Sequence, residues 1–471
     1  MGKKVKIGFV PAYRGIFSME MALKAKAGTL ESLEKAGLEI VVPDEGLTRG
    51  GMVESFEEAR AASELFRREQ VAGVIIGAVN FGNEVPAATA AIDAGENLPI
   101  FLFGCTEEGE LGFKTQRRDA LCGLLSIATA LRQRLARYMY PAVANCAPDD
   151  PALIKEFANF EKVCELNAGV KGAVYGMVGT RPIEFETCAF DEMSLLRKLG
   201  IRTAPIPLSS LFEKARALDD GKKIAAELDG LKKVFRTDGM PDAPLDRLAR
   251  LVVVLNEMID EYVLDGMALQ CWSDMQEFYG VSPCAAMAYI NETRGIPVAC
   301  EVDIHGTLSM QMLQIASGRP PALMDWNNRH FSEKNVVSAW HCGVYPSAVC
   351  DGGCRVQVNQ IMNKTYGDDN VVGTLDGSYE KGPVTVARVT ESPDGTWKLL
   401  VAEGESVDVP GEPFGTNAWI EFEDLDLLYR ALLKDFPHHA AMVPGHVGKC
   451  LVDSAQFLGM EVIAPLSIKG V

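Results

Sequence analysis

Long apolar runs are missing from this chain. No window of its 471 residues approaches the roughly 18 uninterrupted apolar residues that a membrane helix needs. The opening MGKKVKIGFV is basic, but its apolar run breaks at Pro11 and has the length of a first strand, not of a secretory leader. A cytoplasmic location is the resulting expectation. Basic residues are also in deficit, with 46 Lys and Arg against 64 Asp and Glu, a formal net charge of −18. Such a balance gives no bulk attraction to nucleic acid or anionic lipid, so neither is expected as a partner. Neither GxGxxG nor GxxxxGK[ST] occurs, which disfavours an ordinary nucleotide-binding role. The twelve cysteines include no CxxC pair. A chain of this size has no need of disulfides, so they read as reduced, buried, small apolar residues. Cys350 and Cys354 would supply half of a zinc site, but a second pair at matching spacing is lacking.

What remains is an ordinary globular composition, 48% hydrophobic and 23% charged, long enough for two to four domains. In the first third, short apolar runs at 5–10, 38–42, 73–77 and 100–103 alternate with helix-length stretches at 19–35, 54–68, 86–93 and 119–138. That rhythm predicts a parallel sheet covered by helices on both faces. Residues 148–150 fit a link. A second α/β layer follows, with strands predicted at 172–179, 267–270 and 296–300 and helices at 190–199, 208–218 and 245–263. The last third changes character. Segments 384–389, 397–401 and 419–422 are β-rich and punctuated by Gly and Pro, Gly411 among them, and helices are expected at 425–434 and 449–458. The predicted architecture is α/β: two Rossmann-like parallel-sheet domains, 1–168 and 169–320, then a β-barrel-like domain with helices, 321–471, that completes the active site.

Three segments carry the chemistry. In "ACEVDIHG" (299–306) a buried strand ends in carboxylates and passes through Gly306 into a helix, and ligands of open α/β sheets bind at such strand ends. Strand alternation would put Glu301 and Asp303 on one face. The alternative makes both acids solvated caps of the next helix. In "ALMDWNNRH" (322–330), Asp325 follows an apolar run and sits at a strand mouth or in an ordinary turn. In "HHAAMVPGHVG" (438–448), His439 and His446 flank an apolar run and so stand at opposite ends of a buried strand. Two carboxylates and an imidazole suit Mn²⁺, Mg²⁺ or another octahedral divalent ion with positions open to substrate oxygens. An ion of that kind polarises a sugar carbonyl while a carboxylate moves the proton between neighbouring carbons.

At these residues the chain resembles the L-fucose isomerase family, within the wider L-fucose/L-arabinose isomerase group. The resemblance rests on Glu301 in "ACEVDIHG", Asp325 in its Asp-Trp-Asn context and His439 in "HHAAMVPGHVG", with the two acids 24 residues apart. It implies Mn²⁺, with Mg²⁺ or Co²⁺ as substitutes, bound by Glu301, Asp325 and His439. It also makes Glu301 and Asp325 the acid/base pair of an ene-diol aldose–ketose isomerisation. Gln270 in "ALQCW" resembles a substrate-contacting glutamine, and "EGESVDVP" (403–410) a stretch of the C-terminal domain. A homo-oligomer, hexamer or trimer, with active sites between subunits is implied as well. Arg14 in "PAYRGIF" is then a residue that reaches a neighbour's sugar, or else a loop arginine. The chain departs from the family in its shorter last third and in Glu405, which stands where an aromatic residue is expected. Trp419 is the candidate for the missing sugar-facing ring, or an ordinary core tryptophan. These departures point to an aldose other than fucose, including one altered at C6. A non-catalytic sugar binder and a metal-dependent epimerase or lyase are the competing readings.

Overall fold

The computed structural model describes residues 4–410 and 413–471. The first three residues of the basic opening, and Gly411 with its neighbour Glu412, lie outside it.

Residues Gly2–Ala168 form one compact unit. Its five parallel strands, β1 (Lys6–Ala12), β2 (Glu39–Val41), β3 (Gly73–Ala78), β4 (Ile100–Cys105) and β5 (Asn145–Cys146), lie in the order β2-β1-β3-β4-β5. β3 and β4 are buried along their whole length, as continuous apolar runs in a parallel sheet must be. The helices are α1 (Met19–Lys35), α2 (Phe56–Glu69), α3 (Glu84–Ile92), α4 (Ala120–Gln133) and α5 (Pro151–Val170). The first two start at capping serines. Ser18 caps α1 through Met21 N–H, and Ser55 with Glu58 forms a reciprocal capping box on α2. α4 lies so close to the loop between β3 and α3 that a Cβ on Gly123 would stand 1.6 Å from the Phe81 carbonyl oxygen. Residues 148–150, expected as a link, run straight into α5, whose first residue is Pro151.

Residues Gly169–Val471 form the second compact unit. Its first sheet is parallel, with strands β6 (Val174–Val178), β7 (Arg202–Ile206), β8 (Gly266–Leu269) and β9 (Val298–Cys300) in the order β7-β6-β8-β9. The accompanying helices are α6 (Glu192–Leu199), α7 (Leu208–Ala217), α8 (Gly221–Val234), α9 (Asp242–Tyr262), α10 (Cys284–Arg294) and α11 (Ile304–Ser317). Sequence patterning missed α10 because it is apolar on every side, so it carries no helical period.

The expected boundary at 320 falls in the turn from α11 to the second sheet. The β-rich last third, expected as a β-barrel-like domain with helices, is built on a large mixed sheet. Its strands are β10 (Ala322–Arg329), β11 (Val336–His341), β12 (Arg355–Val358), β13 (Val372–Ser378), β14 (Gly382–Glu391), β15 (Trp397–Val407), β16 (Thr416–Glu421), β17 (His439–Pro444) and β18 (Glu461–Ile463). They run in the order β12-β13-β16-β11-β10-β17-β14-β15-β18, with three further residue pairs between β15 and β16. Three helices, α12 (Asn363–Tyr366), α13 (Leu425–Asp435) and α14 (Gly448–Leu458), lie in the connections. Residues 304–313 of α11 are all buried, because the helix packs on β8 and β9 on one side and on β14 and β17 on the other. This wedge brings the carboxyl end of β9 to the mouth of the mixed sheet.

Candidate active site

Strand β9 stops at Cys300, one residue before the acid that matters. Glu301 and Val302 then take left-handed backbone angles, φ +53° and +59°, which are rare for residues that are not glycine. Each such residue costs on the order of 1–3 kcal/mol and persists only where its surroundings hold it. Strand alternation therefore does not place Glu301; a strained turn does. Asp303 ends the turn as the N-cap of α11, accepting from Gly306 N–H at 2.8 Å. It is a cap, but a buried one, 1% exposed. Its two oxygens also accept the two Nη groups of buried Arg388 on β14, and its Oδ2 lies 2.9 Å from His439 Nδ1. Burial alone would raise the Asp303 carboxyl, but Arg388 and His439 hold it far below the usual carboxylate range.

That contact decides what His439 presents. An ionised carboxylate only accepts, so Nδ1 carries the proton, and in the neutral ring Nε2 keeps a lone pair. Against its burial, Asp303 and Glu301 raise the imidazole well above its ordinary value, so a cation at Nε2 would displace a proton. Nε2 stands 3.4 Å from Glu301 Oε2 and 3.4 Å from Asp325 Oδ1. Asp325 reaches this point because β10 and β17 are antiparallel neighbours with Asp325 directly opposite His439. The structure brings Glu301, Asp325 and His439 together from segments that are far apart in the chain.

Sequence reasoning missed a fourth member. His341, the last residue of β11, is 2% exposed, and its Nε2 lies 4.0 Å from Glu301 Oε2. The Cys342 backbone N–H donates to its Nδ1 at 3.0 Å, so its neutral ring carries the proton on Nε2, the reverse of His439. Glu301 Oε2, Asp325 Oδ1 and His341 Nε2 are all buried without a hydrogen-bond partner. Such atoms are costly unless something else satisfies them. A divalent cation fits the two oxygens: the ligand atoms of Asp325, His438 and His439 lie within 4.8 Å of one another, as do those of Glu301 and His439 with the ring nitrogen of His341, which would have to give up its proton to join them. Burial raises the Glu301 carboxyl against the nearby imidazoles.

The other expected residues fall elsewhere. Gln270 is buried at the end of β8, but its amide is occupied: Oε1 accepts from Thr180 N–H at 2.8 Å and Nε2 donates to Asp274 at 3.0 Å. Its neighbour Cys271 donates to Glu301 Oε1 at 3.4 Å. Trp419 on β16 faces His330 edge-on, with ring centroids 5.0 Å apart, and stands opposite Ser338, away from the ligand cluster. Glu405 lies 3.5 Å from His446 Nε2. Arg14 belongs to the first unit, where its Nε donates to Asn83 at 2.6 Å and its guanidinium covers the Phe81 ring at 4.1 Å. A chain of aromatic contacts leads away from Asp325. His438, 3.8 Å from Asp325 Oδ1, has its ring 6.2 Å from Phe185, which in turn meets Trp272 edge-on at 5.6 Å.

In the second unit, a parallel sheet, a mixed sheet and a buried carboxylate–imidazole cluster at a strand mouth are the arrangement of a candidate site for moving protons on small oxygen-rich molecules. The comparisons make that class specific. The fucose/sulfoquinovose isomerase N-terminal domain matches residues 8–171, and the L-fucose isomerase C-terminal domain matches residues 339–464. The sulfoquinovose isomerase of Priestia megaterium is 26% identical over 457 residues, covering 96% of this chain and 97% of that protein. Those of Alkalicoccus urumqiensis and Clostridium sp. (strain MSTE9) are 26% and 24% identical, over 79% and 73% of this chain and 82% and 76% of theirs. The chain belongs to the L-fucose isomerase family. It is accordingly an intramolecular oxidoreductase, an aldose–ketose isomerase.

Proposed function

We propose that this isomerase depends on a divalent cation, Mn²⁺ in the first instance, and acts on an open-chain aldose modified at C6. The observation that carries the metal is the pair of unpartnered buried oxygens, Glu301 Oε2 and Asp325 Oδ1, each 3.4 Å from His439 Nε2. Glu301, Asp325 and His439 would hold the ion, with His341 beside them. Two hard carboxylates with imidazole suit Mn²⁺, Mg²⁺ or Co²⁺. When bound, the ion would polarise the sugar carbonyl and the adjacent hydroxyl.

The chain's own residues do the rest. One of the two carboxylates, Glu301 or Asp325, takes the proton from C2 and returns it to C1. The other carries the proton that O2 gives up and O1 receives, through an ene-diol. Asp303 and Arg388 fix the His439 ring so that its geometry does not have to be found anew at each turnover. Phe185, Trp272 and His438 offer the apolar edge that a sugar face packs against. Sulfoquinovose, an aldohexose with a sulfonate at C6, is the substrate that the names of the relatives suggest. The reading includes a homo-oligomer, trimer or hexamer, in which Arg14 serves a neighbour's sugar.

The test is a panel of aldoses, with sulfoquinovose and L-fucose among them, incubated with the Mn²⁺-loaded protein and followed by NMR. Ketose should form from the C6-sulfonated sugar, deuterium from solvent should appear at C1, and chelation should stop the reaction. Turnover that survives chelation, or in Glu301→Gln, would overturn the assignment.

A further inference from the structure

Glu301 has two oxygens in two chemically different surroundings. Oε2 faces the imidazoles; Oε1 faces sulfur. Cys271 Sγ donates to Oε1 at 3.4 Å, and the Cys300 thiol stands beside both. Sheet pairing explains the meeting: Leu269 at the end of β8 lies opposite Cys300 at the end of β9, so both strands release a thiol at the same level, beside the Glu301 turn. The three ligand atoms lie within 4.8 Å of one another, and all three residues are buried, none more than 3% exposed. Two sulfurs on one tetrahedral ion with bonds of about 2.3 Å are about 3.8 Å apart, which this spacing accommodates.

We infer that Cys271, Cys300 and Glu301 form a second metal site, for a thiophilic ion such as Zn²⁺ or Cd²⁺, which shares Glu301 with the catalytic set and switches the enzyme off when filled. The separation follows ligand softness. Mn²⁺ and Mg²⁺ prefer the carboxylate and imidazole side and gain little from sulfur, whereas Zn²⁺ and Cd²⁺ gain most from thiolates. On binding, each thiol releases its proton to solvent and its sulfur donates the electron pair to the ion. Glu301 Oε1 completes the trio, and the turn that carries Glu301 cannot then serve the hard side unchanged. The inhibition rests on the isomerase reading above; the site itself does not.

The experiment is a Cd²⁺ titration of the Mn²⁺-loaded protein carrying Cys122→Ser, which removes the one exposed cysteine. A thiolate-to-cadmium absorption band should grow and saturate at one Cd²⁺ per chain. Turnover should fall at least tenfold in step with it. Cys300→Ser should weaken Cd²⁺ binding at least 100-fold, and Cys300→Ala, which keeps an apolar group in the space, should do the same. Absence of the band at several equivalents of Cd²⁺ overturns the proposal, as does inhibition without a band. So does a band that is unchanged in both Cys300 variants, which would place the ion on other sulfurs, such as the neighbouring Cys284–Cys342 pair. The band is read without sugar, so its failure is separate from any failure of the isomerase assignment.

Discussion

The two ends of β17 hold the same residue types and have opposite characters. At its start, His439 meets Glu301 and Asp325; past its end, His446 meets Glu403 and Glu405. At the His446 end the buried acid is already satisfied. Glu403 accepts from Gly448 N–H at 2.9 Å and Lys469 N–H at 2.8 Å, and Lys469 Nζ sits 2.7 Å from His446 Nε2. At the His439 end two carboxylate oxygens and an imidazole nitrogen have nothing to bond. A cluster of acids and a histidine is therefore not a metal site by composition. What distinguishes the His439 end is two buried carboxylate oxygens left over after the fold has made its own hydrogen bonds, where the His446 end leaves over only the His446 Nδ1 nitrogen.

Removing the histidine at each end tests that difference at its largest. His439→Ala should drop bound Mn²⁺ from one per chain to near zero and turnover by at least about 10³-fold, equivalent to about 4 kcal/mol. His446→Ala should leave Mn²⁺ content unchanged. Elemental analysis of the two purified proteins decides the matter, and equal metal loss in both would erase the distinction.

Much of this arrangement was legible in the sequence, and the part that was not has a physical reason. Asp325 and His439 both read as residues at strand mouths, and both are on strands. Their facing register is a property of the sheet, which no local pattern reveals. Glu301 was found at the right place for the wrong reason, since its turn uses left-handed angles that its residue type does not advertise. His341 closes the run VVSAWH ahead of a Cys-Gly turn, a strand ending in histidine, but it lies outside every motif. Arg388 gave a clearer signal. An arginine amid Val, Ala and Thr in β14 would be a buried charge, and a buried charge demands a partner. Trp419 stands on a strand opposite Ser338, while Phe185, backed by Trp272, reaches the His438 ring, both from loops that a strand-based reading does not cover.

The supports of the His439 end sharpen the contrast next. Arg388→Met leaves the Asp303 carboxylate buried without its guanidinium, and breaking a buried pair from one side costs roughly 3–5 kcal/mol. Denaturant midpoints should show that loss. Asp303→Asn removes the group that fixes the His439 tautomer, and loss of such an outer partner typically weakens metal binding about 10–100-fold. A Mn²⁺ titration that shows the variant unchanged would remove Asp303 from the site. On the other side, Glu403→Gln deprives two backbone N–H groups of a charged acceptor and should cost roughly 1–3 kcal/mol of stability while Mn²⁺ binding stays intact.

The smallest effect concerns pH, at the His439 end. Asp303 has its carboxyl held well below the ordinary range in the folded chain, against the penalty of burial, by Arg388 and His439. A carboxylate depressed by folding stabilises fully above its unfolded value, near 4, and loses that contribution as pH falls from there toward the folded value. The stability gap between the metal-free protein and Asp303→Asn should thus be flat from about pH 8 to 5, then close by up to about 1.4 kcal/mol per unit below about pH 4. Asparagine does not titrate, so the ionisations that both proteins share cancel in the difference. A gap that widened on acidification would mean that Asp303 is protonated in the native fold. It could then neither accept from both Arg388 and His439 nor leave Nε2 free for a cation.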